Sequence, residues 1–254
     1  IKEPLKEIEL AKSIKSLAKI IDPVSTKVKE QYEENPYPRW RYTNVSSPNI
    51  FFRWLNAEIK PNKIDYNNNF DKPDILIAGC GTGNHSISAT KYQNANILAI
   101  DLSLTSLAYA KRKTEELELK NIEYLQADIL QLKSLDKKFD VIECSGTLHH
   151  MKNPVEGFKV LLDVLKPQGF LKIGLYSQRA REHVVKVREF IKKKNFKNSL
   201  KDIRVCRQIL INNNKDQLLA KAAFGFDFYS TSSVRDLLFH IQEHRFTIPE
   251  ISTI

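Results

Sequence analysis

No stretch of this sequence approaches the roughly 18 consecutive apolar residues that a membrane-spanning helix needs. The opening IKEPLKEIELAKSIKSLAKI is studded with lysine and has no apolar centre of the kind a secretory signal carries. Cysteine is scarce: Cys80, Cys144 and Cys206 stand far apart and match no metal-ligand spacing. His183, His240 and His244 fall on helix-like segments without ligand spacing, so no metal is expected. No internal repeat is present. These absences set aside a membrane-embedded protein, a zinc module and a repeat array, and they point to a reduced, cytoplasmic protein. The chain begins at Ile1 rather than Met, which reads as an excised or processed piece.

What is present is an ordinary globular composition with a basic excess. Of 254 residues, 42% are hydrophobic and 28% charged, enough for a real core in one large domain or one domain with extensions. The net charge of +10 is uneven. Between Gln178 and Arg207, eleven basic residues face only Glu182, Glu189 and Asp202. Such a stretch attracts nucleic acid or another polyanion, or it forms solvated helix faces, and the second reading is favoured.

The apolar spacing predicts a helix over residues 1–22 and a second over 24–34 after Asp22-Pro23. Pro36 and Pro38 hold the next segment extended. Pro48 opens a helix carrying Ile50, Phe51, Trp54, Leu55 and Ile59, and a polar loop with Asn67 to Asn69 follows. From Asp74 strands and helices alternate. Strands are predicted at 75–78, 97–101, within 121–128, at 139–146 and at 169–177. Helices are predicted at 83–92, 103–118 and 154–165. This alternation implies an α/β fold, a doubly wound, mainly parallel Rossmann-like sheet. Helices at 178–194, 199–211 and 232–243 complete the chain, and no sixth or seventh strand is evident. The expected organisation is N-terminal helices and an extended strap over 1–70, the sheet domain over 71–177 and a helical, basic extension over 178–254.

The sharpest local feature is ILIAGCGTGNH. Gly79, Gly81 and Gly83 lie between a strand and a helix, where glycine permits a tight turn and lets a ligand lie on bare backbone. Asp101 ends the next strand, where a carboxylate can accept both hydroxyl protons of a ribose. A dinucleotide site would place its third glycine at Asn84, so the spacing disfavours a nicotinamide cofactor. In QADIL, Asp128 ends the third strand, where a side chain can meet an adenine amino group.

The combination of AGCGTG, AIDLS, QADIL, FDVIECSGTLHHM and LKPQGF resembles the class I S-adenosylmethionine-dependent methyltransferases over about residues 74–177. The resemblance implies that Gly79, Cys80, Gly81, Thr82 and Gly83 pack against the methionine part of the cofactor. It further implies that Asp101 binds the ribose, that Leu102 flanks the adenine, and that Asp128 and Ile129 hold its edge. Cys144, Ser145 and Gly146 would line the path to the sulfonium methyl, and S-adenosylhomocysteine would be the product. One departure stands out: the family carries an acid two positions before the first glycine, and this chain has Ile77. The flanks, IDPVSTKVKEQYEENPYPRW and the run from GLYSQRAR to HRFTIPEI, resemble the methyltransferase part of bacterial proteins in which tetratricopeptide repeats precede the domain.

NPYPRW, residues 35–40, raises a separate question, because Asn-Pro-Pro-Tyr loops grip the target amino group in some nucleic-acid methyltransferases. Such a loop must end the fourth strand, which here reads Glu143-Cys144-Ser145-Gly146. The segment is therefore read as a strap packing Tyr37 and Trp40 over the domain, with a share in substrate binding. His149 and His150, just after the fourth strand, are candidate bases. Tyr176 and Arg179, with Arg181, are candidates for holding an acidic acceptor. In FHIQEHRF, Phe239 and Phe246 are expected to pack, and Glu243 and His244 to pair on the surface. The leading expectation is methyl transfer to a small molecule or protein, with no membrane involved. The rivals are RNA methylation through the basic stretch, a non-catalytic cofactor-binding scaffold and a nicotinamide-dependent oxidoreductase.

Overall fold

The expected single helix over residues 1–22 gives way to two shorter pieces in the computed structural model, which describes residues 2–65, 70–213 and 216–253. Helix α1 spans Lys2–Ser13 and a two-residue strand, β1, spans Lys15–Ser16. The apolar stripe does not decide this segment: Leu5 and Ile8 are exposed, whereas Glu7 is buried against Arg112. The helix stops at Ser13, and the Leu17 N–H is spent on Gln126 O instead of on the helix. Helix α2, Pro23–Glu34, follows as expected, with the Asp22 carboxylate accepting from Val24 N and Ser25 N and proline in the first turn. Helix α3 spans Phe51–Glu58, starting three residues later than expected. The expected loop at Asn67–Asn69 lies outside the described residues.

The parallel sheet is built from β2 (Asp74–Ala78), β3 (Asn96–Asp101), β4 (Ile122–Gln126), β5 (Phe139–Ser145) and β6 (Leu165–Gly174). Their order is β1-β4-β3-β2-β5-β6, with every pair parallel. The order reverses between β2 and β5, so a crevice opens there beyond the strand ends. β6 begins and ends earlier than expected. Its first residue already pairs Phe139, and Lys166–Gly169 forms an irregularity with Gln168 at φ 64°, rather than a turn preceding the strand.

Three helices connect the strands: α4 (Asn84–Ser88), continued by a 3-10 turn over Ala89–Lys91, α5 (Leu104–Glu116) and α6 (Pro154–Asp163). Ser103 caps α5 by accepting from Ser106 N. Asn153 caps α6 ahead of Pro154. On one sheet face Ile75, Ile77, Ala99 and Val141 pack with Leu107 and Ala110 of α5 and with Phe51, Phe52, Phe70 and Tyr92. Phe51 and Phe70 stack with centroids 5.2 Å apart.

The chain divides into two units, Ile1–Gly174 and Leu175–Ile254. The second unit is a small helical body of α7 (Glu182–Lys193), α8 (Leu200–Ile211), α9 (Gln217–Ala222), α10 (Thr231–Phe239) and α11 (Ile248–Ser252). Its core joins Val184, Val187 and Ile191 to Ile203, Cys206 and Leu210, and both to Val234, Leu238 and Phe239. Helix α10 stops at Phe239, so His240 and His244 are not helical. Glu243, expected at the surface, is buried: it pairs with Arg181 at 2.5 Å and Arg245 at 3.4 Å. The surplus of arginine in this segment makes a buried carboxylate the better-compensated arrangement. His244 meets Gln242 instead, and the Phe246 N–H reaches Tyr176 O at 2.8 Å.

Candidate functional site

Three glycines turn the chain after β2 with left-handed φ values of 76°, 52° and 88° at Gly79, Gly81 and Gly83. A Cβ at Gly79 would fall 1.9 Å from Thr147 Oγ1, and one at Gly83 would fall 2.5 Å from Ala110 Cβ. Bare backbone is therefore required at both. The N–H groups of Gly79 and Cys80 both donate to Ile100 O at 2.9 Å, which ties the loop to the end of β3. Across the switch point, Ser145 at the end of β5 and Gly146 just beyond it are exposed, and nothing lies within 4 Å of a Cβ placed at Gly146.

Asp101 stands at the end of β3 as its position demands. Its Oδ2 accepts from Gly81 N at 2.8 Å and its Oδ1 from Ser103 N at 2.9 Å. Each oxygen keeps a second lone pair for a ligand hydroxyl. Burial, with Glu33 nearby, raises its carboxyl above the usual range against those backbone N–H groups. A glycine cradle with a half-buried carboxylate beyond the next strand fits a nucleoside-bearing cofactor of the S-adenosylmethionine kind.

Leu102 is half-buried, and its carbonyl accepts from Gln126 Nε2 at 2.8 Å. Asp128 is 3% exposed and caps the 3-10 turn Ile129–Leu135 by accepting from Leu130 N at 3.0 Å. Burial raises its carboxyl, and Ser25 of α2 offsets this by hydrogen bonding. Ile129 is buried beside it. Cys80 joins the core, where burial first and Asp101 second push its thiol well up. The Cys144 thiol is raised by burial to about 12.

The strap lies on the glycine loop. The Trp40 indole N–H donates to Thr82 O at 3.2 Å, and the Thr82 hydroxyl donates to Pro38 O. The Tyr109 hydroxyl of α5 donates to Trp40 O. Tyr37 is half-buried, with its carbonyl 3.3 Å from where a Cβ of Gly81 would sit. Thr82 is thus turned toward the strap through both its hydroxyl and its carbonyl.

His149 and His150 occupy the 3-10 turn Leu148–His150 and are 1% and 7% exposed. Their rings meet edge to face at 4.4 Å. Tyr176 and Arg179 belong to the second unit. Arg179 is exposed, whereas Tyr176 carries the Arg181 guanidinium 3.9 Å above its ring. Burial pushes the Tyr176 hydroxyl up to about 12 against the Arg181 charge.

The group that sequence reasoning passed over is Glu143, named only as part of a strand end. It is 3% exposed on β5, accepts from the Tyr92 hydroxyl at 2.6 Å and sits 2.5 Å from His85 Nε2. An acid inside the apolar run FDVIECSG was the available signal. Burial raises its carboxyl, but the hydrogen bond and charge of His85, with Tyr92 and Lys172, outweigh it and lower it to about 2. A depressed carboxylate stabilises the fold above its unfolded value and loses that contribution as pH falls through the folded one. From the unfolded 4.5 to about 2, the difference corresponds to about 3 kcal/mol. The stability gap between wild type and Glu143→Gln is expected to narrow as pH falls below about 5 and to close only once pH has passed below the folded value of about 2, in urea unfolding. A gap independent of pH would contradict this. Glu33 was also missed: its carboxylate accepts from Leu104 N at 2.8 Å and Thr105 N at 3.1 Å, tying α2 to the start of α5.

The sequence matches the family model described as a methyltransferase domain over residues 71–223. An uncharacterized protein of Synechococcus sp. is 30% identical over 172 residues, covering 67% of this chain and 41% of that protein. The ubiquinone biosynthesis O-methyltransferase of Rickettsia akari is 30% identical over 120 residues, 47% of each. The chain thus spans about half or less of these relatives. The structure of PKMT2 from Rickettsia typhi in complex with AdoHcy shares the fold, with a TM-score of 0.53 at 22% identity over 72% of this chain and 37% of that one. The glycine loop, Asp101 and the strands β2 to β6 all lie within the matched residues, and the chain belongs to the methyltransferase domain family.

Proposed function

We propose that this chain binds S-adenosylmethionine and transfers its methyl group to a small-molecule or protein acceptor. The observation that carries the reading is the glycine cradle at the switch point, closed on one side by Asp101. In this reading Gly79–Gly83 take the methionine part, Asp101 the ribose, and Leu102, Asp128 and Ile129 the adenine, while Ser145 and Gly146 border the reacting methyl. The cofactor supplies an activated methyl. The chain's own work is to hold an acceptor in line and keep water out.

The strap fits the second task, because Trp40 and Pro38 are bonded to the loop itself. The burial of His149 and His150 favours a packing role over that of a proton acceptor. A small acceptor is supported by the name of the Rickettsia akari relative, an O-methyltransferase. Tyr176 and Arg179 stay candidates for an acidic acceptor. A cytoplasmic location is part of the proposal; Cys80, Cys144 and Cys206 are buried thiols. The flanking resemblance adds tetratricopeptide-type repeats as a partner module within a longer protein.

RNA methylation is the second reading. Arg181, Arg188 and Arg207 of the basic stretch are spent on Glu243 and on the backbone of His240, Phe228 and Tyr229. The other eight basic residues of that stretch are exposed. Labelled S-adenosylmethionine supplied with separate metabolite, protein and RNA fractions decides between the readings. Label is expected in metabolites or protein. Label confined to RNA, and lost steeply as salt rises, would move the assignment to RNA. Binding of cofactor with no transfer to any fraction would favour a scaffold.

A further inference from the structure

We propose that the second unit carries a binding site for the oxyanion of a small acidic molecule, a carboxylate or a phosphate. Arg245 is its exposed group, and Arg181 and Arg188 are its inner charges. The proposal concerns residues 175–254 alone. It goes beyond the methyl-transfer reading and does not depend on it.

Three guanidinium groups gather around one carboxylate. Arg181 places Nη2 2.5 Å from Glu243 Oε2 and Nε 3.5 Å from Oε1. Arg245 reaches the same Oε1 only at 3.4 Å. The Glu243 side chain is 1% exposed, so Arg181 answers it where water cannot. Arg188 donates from Nη2 to the neutral carbonyl of His240 at 2.6 Å, and its Nη1 is shut from solvent without a partner. One cation is therefore paired and two are surplus.

The electrostatics agree with this count. The charges acting on Arg188 are Glu243, Arg245 and Arg181, two cations against one anion. Asp227 and Asp236 act on Tyr176 rather than on Arg188. Burial, joined by Arg245 and Arg181, holds the Arg188 guanidinium below its ordinary range against the pull of Glu243. A guanidinium taken from water without a counter-charge costs stability. A bound oxyanion supplies that counter-charge, and the planar arginine fork matches both carboxylate and phosphate.

The cluster is also held in place before any ligand arrives. The Arg181 guanidinium lies 3.9 Å above the Tyr176 ring. The Phe246 N–H donates to Tyr176 O at 2.8 Å, and the Gln178 N–H to Phe246 O at 3.0 Å, which fixes the backbone beside Arg245. The Arg245 side chain is 31% exposed, against 14% for Arg181, so an anion arrives at Arg245. Among the described residues Arg245 bonds only Glu243, and that bond is long.

The test is calorimetric titration of the full chain with inorganic phosphate and, separately, with acetate, at an ionic strength fixed with sodium chloride. Wild type is expected to bind one equivalent of at least one of them, and the bound oxyanion to raise the melting temperature above that in chloride alone. Arg245→Gln is expected to weaken binding about tenfold, the size of one hydrogen bond to a charged group. Arg188→Lys, which keeps the charge and loses the fork, is expected to weaken it about threefold. It also decides the matter should Arg245→Gln not fold. Lys193→Gln, at the exposed end of α7, removes the same charge elsewhere and is expected to change nothing. Binding of phosphate alone identifies a phosphate-bearing ligand, and binding of acetate alone a carboxylate; either upholds the site. No saturable binding of either oxyanion would overturn the proposal. So would equal weakening by Lys193→Gln and Arg245→Gln, which would make the effect one of net charge. Binding unchanged in both arginine variants would leave the cluster a structural clamp and overturn it too.

Discussion

Asp101→Ala is expected to weaken S-adenosylhomocysteine binding by about 100-fold or more while leaving the chain folded. The carboxylate sits between the N–H groups of Gly81 and Ser103, so it fixes the cradle and the start of α5 together. Its remaining lone pairs can accept two ribose hydroxyls. Two bonds to a charged group at about 1.5 kcal/mol each correspond to about 3 kcal/mol, or about 100-fold. The fold tolerates the change for a reason visible in the site. Burial raises this carboxyl in the folded chain, so its ionised form costs stability at neutral pH rather than supplying it. Titration and a thermal melt of the same variant check both halves. Affinity within threefold of wild type would remove Asp101 from the cofactor site.

Arg112→Ala is expected to cost about 3–5 kcal/mol, because it strands a buried acid. The guanidinium is 3% exposed, donates to Glu7 Oε1 at 2.9 Å and also bonds Glu116. Glu7 is itself 7% exposed, and its other cationic contact, Arg39, is 3.7 Å away. The pair clamps α1 to α5. That clamp delivers β1 to the sheet edge, where the Ser16 hydroxyl donates to Gln126 Oε1 at 2.6 Å. Gln126 in turn donates to Leu102 O, so the loss should reach the adenine edge of the site. Urea unfolding of Arg112→Ala, Glu7→Gln and the double variant measures the coupling. The double variant is expected to be clearly more stable than Arg112→Ala alone. Additive losses would contradict a buried ion pair.

The parts of the fold that were legible in the sequence are those where a periodic pattern met a turn signal. β2, β3, β4 and β5 are apolar runs bounded by glycine, aspartate or proline, and their parallel pairing, though not the order in which they lie, follows from their alternation with helices. The glycine loop was legible because three glycines at a strand end have few other uses. The strap was legible from Pro36 and Pro38, although its bonds to Thr82 were not. β1 was illegible because two residues carry no period. α1 was misjudged in length because a buried Glu7–Arg112 pair, not its apolar stripe, anchors it. Glu143, His85 and Tyr92 come from three separate segments, and only the register of β2 against β5 brings them into one group. Glu243 was misjudged because charge is ordinarily placed outside, and its arginine partners are distant in sequence.

The most direct test of the account is calorimetric titration of the intact chain with S-adenosylhomocysteine and, separately, NADH. The account predicts about micromolar binding of the first and none of the second. Binding of NADH without S-adenosylhomocysteine would contradict it, and would turn the same glycine loop into a nicotinamide site.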